Sequence, residues 1–234
     1  MCNFDHQNFN KMENIEAIIS WLNENKNESF RIKMERFAIK TDTAFGIRVP
    51  ELRSFAKLVG KNTELARELW KTNYHEARMI AVLISKPNEL TEKDMDLWVN
   101  DFNSWDICDQ ACMNIYDKTP FADKKIFEWS QREEEYVRRA AFALIASIAV
   151  HDKKAKDEKF LPYLDLIEKY SYDNRNFVKK AVNWALRQIG KRNRELGILA
   201  IECSERLLKQ PHKSAHWIAK DAIKELNNKW GLDN

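Results

Sequence analysis

The sequence predicts an all-α protein built as a stack of antiparallel helix pairs, and three observations predict it. Five glycines and five prolines are few for 234 residues, whereas sheets joined by tight turns need more of both. Helical periodicity of apolar residues runs along nearly the whole chain, and no convincing alternating strand interrupts it. The connections are short, so consecutive helices fold back on one another.

In chain order the periodicity sets helices over 12–25, 28–40, 50–60, 63–73, 75–86, 91–102, 104–117, 121–132, 134–150, 157–172, 176–192, 194–209 and 212–228. Pro50 suits the first turn of the third helix. Thr91 serves as an N-cap with Asp94 three residues later, a variant of the capping box, and Ser104 stands where it caps the next helix. Gly60, Pro87, Pro120 and Pro211 supply stops. The helix over 134–150 is apolar almost all round from residue 140, which predicts a central position. A two-helix unit near 40 residues has the length of a HEAT repeat. Self-similarity between units is weak, so the repeat rests on helix count and length, and an irregular all-α domain is the alternative. No linker divides residues 1–234, which read as one domain; "VHDKKAKDEKF" (150–160) reads as a solvated loop.

Apolar residues make up 44% of the chain and charged residues 32%, the balance of a folded, soluble protein. The formal net charge of +3 excludes a uniform basic coat. A nucleic-acid role therefore needs positive charge gathered on one face. The opening "MCNFDHQNFNKMENIEAIIS" lacks a basic segment followed by an apolar run, and no stretch reaches bilayer length. With four cysteines, the expectation is a cytoplasmic protein with reduced thiols and no membrane partner. No heptad seam occurs, which predicts a monomer.

Several familiar chemistries fail on spacing. In "YHEARM" the second histidine of a metalloprotease helix falls where Met79 stands, so His75, Glu76 and Arg78 are expected to cap and brace a helix pair. Cys108 and Cys112 lack a second Cys/His pair at finger spacing, and neither a metal nor a cofactor is expected. "LVGKNT" lacks the earlier glycine of a phosphate-binding loop, and no nucleophile elbow or dinucleotide fingerprint occurs.

Three helices carry an odd residue on an odd face. Winding residues 104–117 at about 100° per residue puts Trp105, Asp109, Cys112 and Tyr116 on one stripe, beside a plain core stripe of Cys108, Ala111 and Ile115. A bare carboxylate among apolar neighbours is expensive, so Asp109 either pairs locally near the helix start or lines an aromatic cleft. On 176–192, Val178, Ala181, Val182, Ala185, Leu186 and Ile189 form the buried face. Lys180, Trp184, Arg187 and Lys191 gather opposite. Trp184 either covers a neighbouring element or belongs to a contact surface for a nucleic-acid backbone. Arg138 and Arg139 sit about 100° apart and cannot share one environment. Arg139 leads into Ala143 and Ala146, and its guanidinium needs an anion: Asp109, a phosphate, or Glu135 in a structural salt bridge.

Five stretches taken in order, "FGIRVPELR" (45–53), "NYHEARMIA" (73–81), "SWDICD" (104–109), "YVRRAA" (136–141) and "NFVKKAVNWALRQIGK" (176–191), resemble the DNA alkylation repair family of HEAT-like DNA glycosylases, the AlkD type. The resemblance spans about two thirds of the chain. It implies a right-handed superhelical stack, an α-solenoid of HEAT-like repeats, whose concave basic surface cradles duplex DNA. It also implies a cleft in which Trp105 and Trp184 are aromatic walls, Asp109 the carboxylate and Arg139 the arginine, with Arg138 adjacent to that last position. Lys179, Lys180, Arg187 and Lys191 then grip phosphates, with Arg48 and Lys118 as further candidates. The implied reaction is monofunctional excision of positively charged N3- or N7-alkylated purines. The family also holds members that keep the fold without glycosylase activity, so a non-catalytic module binding DNA or a protein partner is the alternative.

Overall fold

A computed structural model describes residues 14–231, and among these every regular element is helical. In chain order they are α1 (Ile15–Glu24), α2 (Glu28–Glu35), α3 (Val49–Val59), α4 (Thr63–Lys71), α5 (His75–Ile84), α6 (Glu92–Asn100) and α7 (Trp105–Asn114). There follow α8 (Ala122–Ser130), α9 (Glu135–His151), α10 (Leu161–Tyr170), α11 (Asn176–Gly190), α12 (Arg194–Leu208) and α13 (Lys213–Trp230). Short 3-10 turns occupy Pro87–Glu89, Tyr116–Lys118 and Asp157–Phe160. The start of the expected first helix at residue 12, together with Cys2 and His6, lies outside the described residues.

The ends of the helices show which local signals acted. Pro50 stands in the first turn of α3, and Gly60 closes that helix with a left-handed φ of 80°. Thr91 and Asp94 form the reciprocal capping box at α6. Four asparagines that the sequence reading passed over are also N-caps: Asn14, Asn27, Asn62 and Asn193 accept from Ala17, Phe30, Leu65 and Leu196 at 2.8–3.0 Å. Ser104 occupies the N-cap of α7 but makes no capping bond, because its hydroxyl donates to the Asp106 carboxylate instead. Two expected helices are shorter than their periodicity suggests. The second stops at Glu35, since Ala38 takes a φ of 56°, and the seventh stops at Asn114 before a 3-10 turn.

The chain forms two compact units, one ending at Thr119 and the other beginning at Pro120. In the first, α5 is the centre, packed by α3, α4 and α7. In the second, α9 packs on α8 and α11, while α11 meets α12 and α13. The expected central helix is central indeed: Val137 through Ala149 are all buried. Burying each such leucine, isoleucine or phenylalanine contributes about 1.5–3 kcal/mol.

Both units use an arginine at the fourth position of the central helix as a brace. Arg78 of α5 donates Nε–H to the Trp70 carbonyl at the end of α4 (3.3 Å) and lies 3.4 Å from Asp101, just past α6. Arg138 of α9 donates to the Ser130 carbonyl at the end of α8 (3.0 Å) and pairs with Asp173, just past α10, at 2.8 Å. Each guanidinium covers an aromatic ring, Trp70 at 5.0 Å or Tyr170 at 5.1 Å. The last carbonyls of a helix lack intrahelical donors, and these arginines supply them from the next helix.

Candidate functional site

In unit 1 the candidate residues stand at the head of α7. Trp105 is its first residue and is half-buried; its indole Nε1–H donates to the Phe37 carbonyl at 2.8 Å. The connection from α2 to α3 thus fixes the ring, and that connection is itself held by α5. Buried Glu76 accepts from the backbone N–H of Phe45, Gly46 and Ile47 at 2.8, 2.7 and 3.1 Å. Gly46 is required there: its φ is 80°, and a Cβ would run into the Asn27 carbonyl. His75 and Glu76 therefore brace as the sequence suggests, beside the Arg78 brace.

Asp109, one turn after Trp105, is also half-buried. Asp106, in the first turn, pairs at the helix start. That carboxylate meets His75 Nε2 at 3.0 Å and accepts from Ser104 and from the Ile107 N–H. Burial opposes the charge on Asp106, but His75, Ser104 and the Ile107 amide outweigh it and hold its pKa below the ordinary value. Burial likewise opposes a charged His75, yet Asp106 raises its pKa on balance. The sequence reading missed Asp106, although an acid in a first helical turn is itself a signal.

The four-residue stripe does not hold as one face. Trp105 and Asp109 are half-buried, whereas Cys112 and Tyr116 are completely buried. Tyr116 lies past the end of α7, in the 3-10 turn, where the angular step of an α-helix no longer applies. Cys108, Ala111 and Ile115 form core as expected.

In unit 2, Arg138 and Arg139 have separate environments. Arg138 is committed to Asp173. Arg139 is 5% exposed and donates to the Phe177 carbonyl in the first turn of α11 at 2.6 Å. On α11 the six expected core residues are all fully buried, and Asn183 joins them, donating to the Ile218 carbonyl at 3.2 Å. Trp184 is half-buried, so neither candidate indole is sealed from solvent. With the Gln188 amide oxygen turned toward its donors, it accepts from Trp184 Nε1 and Lys191 Nζ, both at 3.1 Å.

The candidate cations differ in what already holds them. Lys180 is exposed and makes no ion pair among the described residues. Lys179 lies 4.9 Å over the Trp217 ring. Arg187 pairs with Glu225 and approaches Asp221 at 3.5 Å, and Lys191 pairs with the same Glu225 at 2.7 Å. Burial raises the pKa of Glu225, but its bonds to Lys191 and Arg187 prevail and lower it, so it stands opposite them as an anion. Arg48 is exposed and covers the Phe30 ring at 5.3 Å. Lys118 caps the end of α7, donating to the Met113 and Asn114 carbonyls at 3.1 and 2.6 Å.

Among the described residues, no three potential metal-ligating side chains come together, and no helix is long and apolar enough to cross a membrane. Cys108, Cys112 and Cys203 are buried and none is in a disulfide. No curated protein matches the sequence. One solved structure that shares the fold comes from "a new family of proteins related to the HEAT-like repeat DNA glycosylases with affinity for branched DNA structures". Its TM-score is 0.76 at 19% sequence identity, over 94% of this chain and 97% of that one. This likeness makes the fold HEAT-like, as the helix lengths suggest. The pattern of the family described as DNA alkylation repair enzyme matches residues 18–226, nearly all of both units, and the chain belongs to that family.

Proposed function

We propose that the protein, a cytoplasmic monomer, binds duplex DNA and excises purines alkylated at N3 or N7, as a monofunctional glycosylase. The observation that carries this reading is the head of α7. Trp105 and Asp109 are both half-accessible there, one turn apart, with the indole fixed by the Phe37 carbonyl.

An alkylated purine of this kind is a cation, so it leaves as a neutral base with the electron pair of the glycosidic bond. Positive charge then develops on the deoxyribose. Asp109 stabilises that charge electrostatically, and preorganised groups of this type contribute on the order of 3–4 kcal/mol. Water adds to the anomeric carbon and loses a proton, and Asp109 is the base for that step. Trp105 and Trp184 hold the lesion nucleotide by ring contacts worth about 1–2 kcal/mol when desolvated. Arg139 supplies a fixed positive charge for a phosphate oxygen beside the lesion, and Lys179, Lys180, Arg187, Lys191, Arg48 and Lys118 grip the backbone.

The test is release of 7-methylguanine from a modified duplex. Wild type should release the base, and Asp109→Asn should slow single-turnover release by about 100- to 1000-fold with duplex affinity kept. No release by wild type, or equal release by the variant, sinks the assignment. A second reading, a non-catalytic binder of branched DNA, is favoured by the fold shared with a protein of that affinity. Tighter binding to a four-way junction than to linear duplex, without base release, selects it.

A further inference from the structure

Unit 1 carries a cationic recess that the proposed catalytic set does not use. It encloses about 490 Å3 between α3 and α7, and Arg53, Lys57, Lys61 and Asn114 are among its lining residues. No acidic side chain lines it, and Arg53, Lys57 and Lys61 form no ion pair among the described residues. Gly60 is also part of the wall, and the space where its Cβ would stand is open.

Arg53 is held without being neutralised. Its guanidinium donates to the Gln110 side-chain oxygen at 2.9 Å and toward that of Asn114 at 3.4 Å. The two amides are themselves linked, Asn114 Nδ2 to Gln110 Oε1, at 3.0 Å. Gln110 directly follows Asp109, so the recess is built on the same helix as the proposed carboxylate. Lys61 spends two donors on the Leu83 and Ser85 carbonyls at the end of α5, at 2.8 and 2.9 Å. An ammonium has three donors, so one remains. Burial, and after it the nearby charge of Lys118, lower the pKa of Lys61. A helix end calls for some positive charge, and Lys61 and Lys118 answer that need at α5 and α7. Arg53 stands in the middle of α3, away from either helix end, and Lys57, in the last turn of α3, donates to none of those carbonyls and makes no ion pair among the described residues.

We propose that this recess binds phosphodiester oxygens of the DNA backbone through Arg53, Lys57 and Lys61, a backbone anchor carried by unit 1. The inference rests on DNA as the partner but not on base excision. Backbone contacts of this kind strengthen binding without regard to sequence and make it steeply salt-dependent.

The experiment measures fluorescence anisotropy of an undamaged linear duplex against salt, for wild type, Arg53→Gln/Lys57→Gln and Lys61→Met. The double variant should lose about tenfold in affinity near physiological salt, with the slope of log K against log salt reduced by about 2. Lys61→Met should lose a smaller factor in the same direction. A control with equal charge loss, Lys153→Gln/Lys154→Gln on the connection after α9, should keep the wild-type slope. Affinity within twofold of wild type and an unchanged slope for the double variant overturn the proposal; so does an equal loss in the control. Competition by inorganic phosphate separates the sources of the anion: variants that lose phosphate binding but keep duplex affinity also overturn it. Because the probe carries no lesion, absence of 7-methylguanine release leaves this test intact, and normal release with an unaffected double variant sinks the recess alone.

Discussion

Arg78 in unit 1 and Arg138 in unit 2 stand at the same position of their helices, reach back to the end of the preceding helix, cover an aromatic ring and face an aspartate beyond the following one. The aspartates differ. Asp101 is 48% exposed at its side chain and also accepts from the Trp70 indole at 2.9 Å. Asp173 is 4% exposed and is shared with Arg175. Equivalent positions in the helical repeat thus deliver different energies, because water competes for one acid and not for the other. Cationic surfaces show a second contrast. The α3–α7 recess of unit 1 keeps its charge unpaired, while on α11 of unit 2 Arg187 and Lys191 share Glu225.

The largest effect expected is from Asp173→Ala, which leaves two arginines around a buried vacancy. It should cost about 3–5 kcal/mol in urea unfolding, whereas Asp101→Ala should cost about 1 kcal/mol. Equal losses would break the comparison of the braces.

A smaller effect separates the units by pH. The His75 pKa is raised above 6.5, so its stabilisation is complete below that value and is lost as pH rises through the folded value. Asp106 and Asp173 are lowered from 3.8, so their contributions are present above it and are lost as pH falls through the folded values. The urea midpoint should therefore drop as pH rises from about 6.5 through the folded value of His75. Asp106→Asn should flatten that drop, and Asp173→Ala should preserve it. A drop that survives Asp106→Asn removes the His75–Asp106 pair from the account.

The smallest effect concerns the second contrast. Glu225→Gln releases Arg187 and Lys191 and should raise duplex affinity by about two- to fivefold with a steeper salt slope. Unchanged affinity takes both cations out of the proposed DNA contact.

The helices were legible because periodicity and capping are local. The apolar positions of α11, the Thr91–Asp94 box and Pro50 act within one or two turns. The repeat was harder to read, yet a signal existed. "YVRRA" (136–140) and "FVKKA" (177–181) place a cation at the fourth position of α9 and α11, as "HEAR" (75–78) does in α5, and Lys179 lies over Trp217 there. In the candidate site, the wheel put Trp105 and Asp109 on one face, where both are half-buried, but it overran the end of α7 and put Tyr116 with them.

By itself the sequence determined the helical class, the order of its elements and which face of each helix turns inward, since hydrophobic spacing acts over a few residues. The tertiary structure decided the partners of the charges. Arg138 takes Asp173, Asp106 receives His75, and Glu225 claims Arg187 of α11 and Lys191 just past it. These pairs join residues about thirty or more positions apart on different helices, and a Coulomb energy depends on distance in space and on the surrounding water, neither of which a one-dimensional pattern encodes.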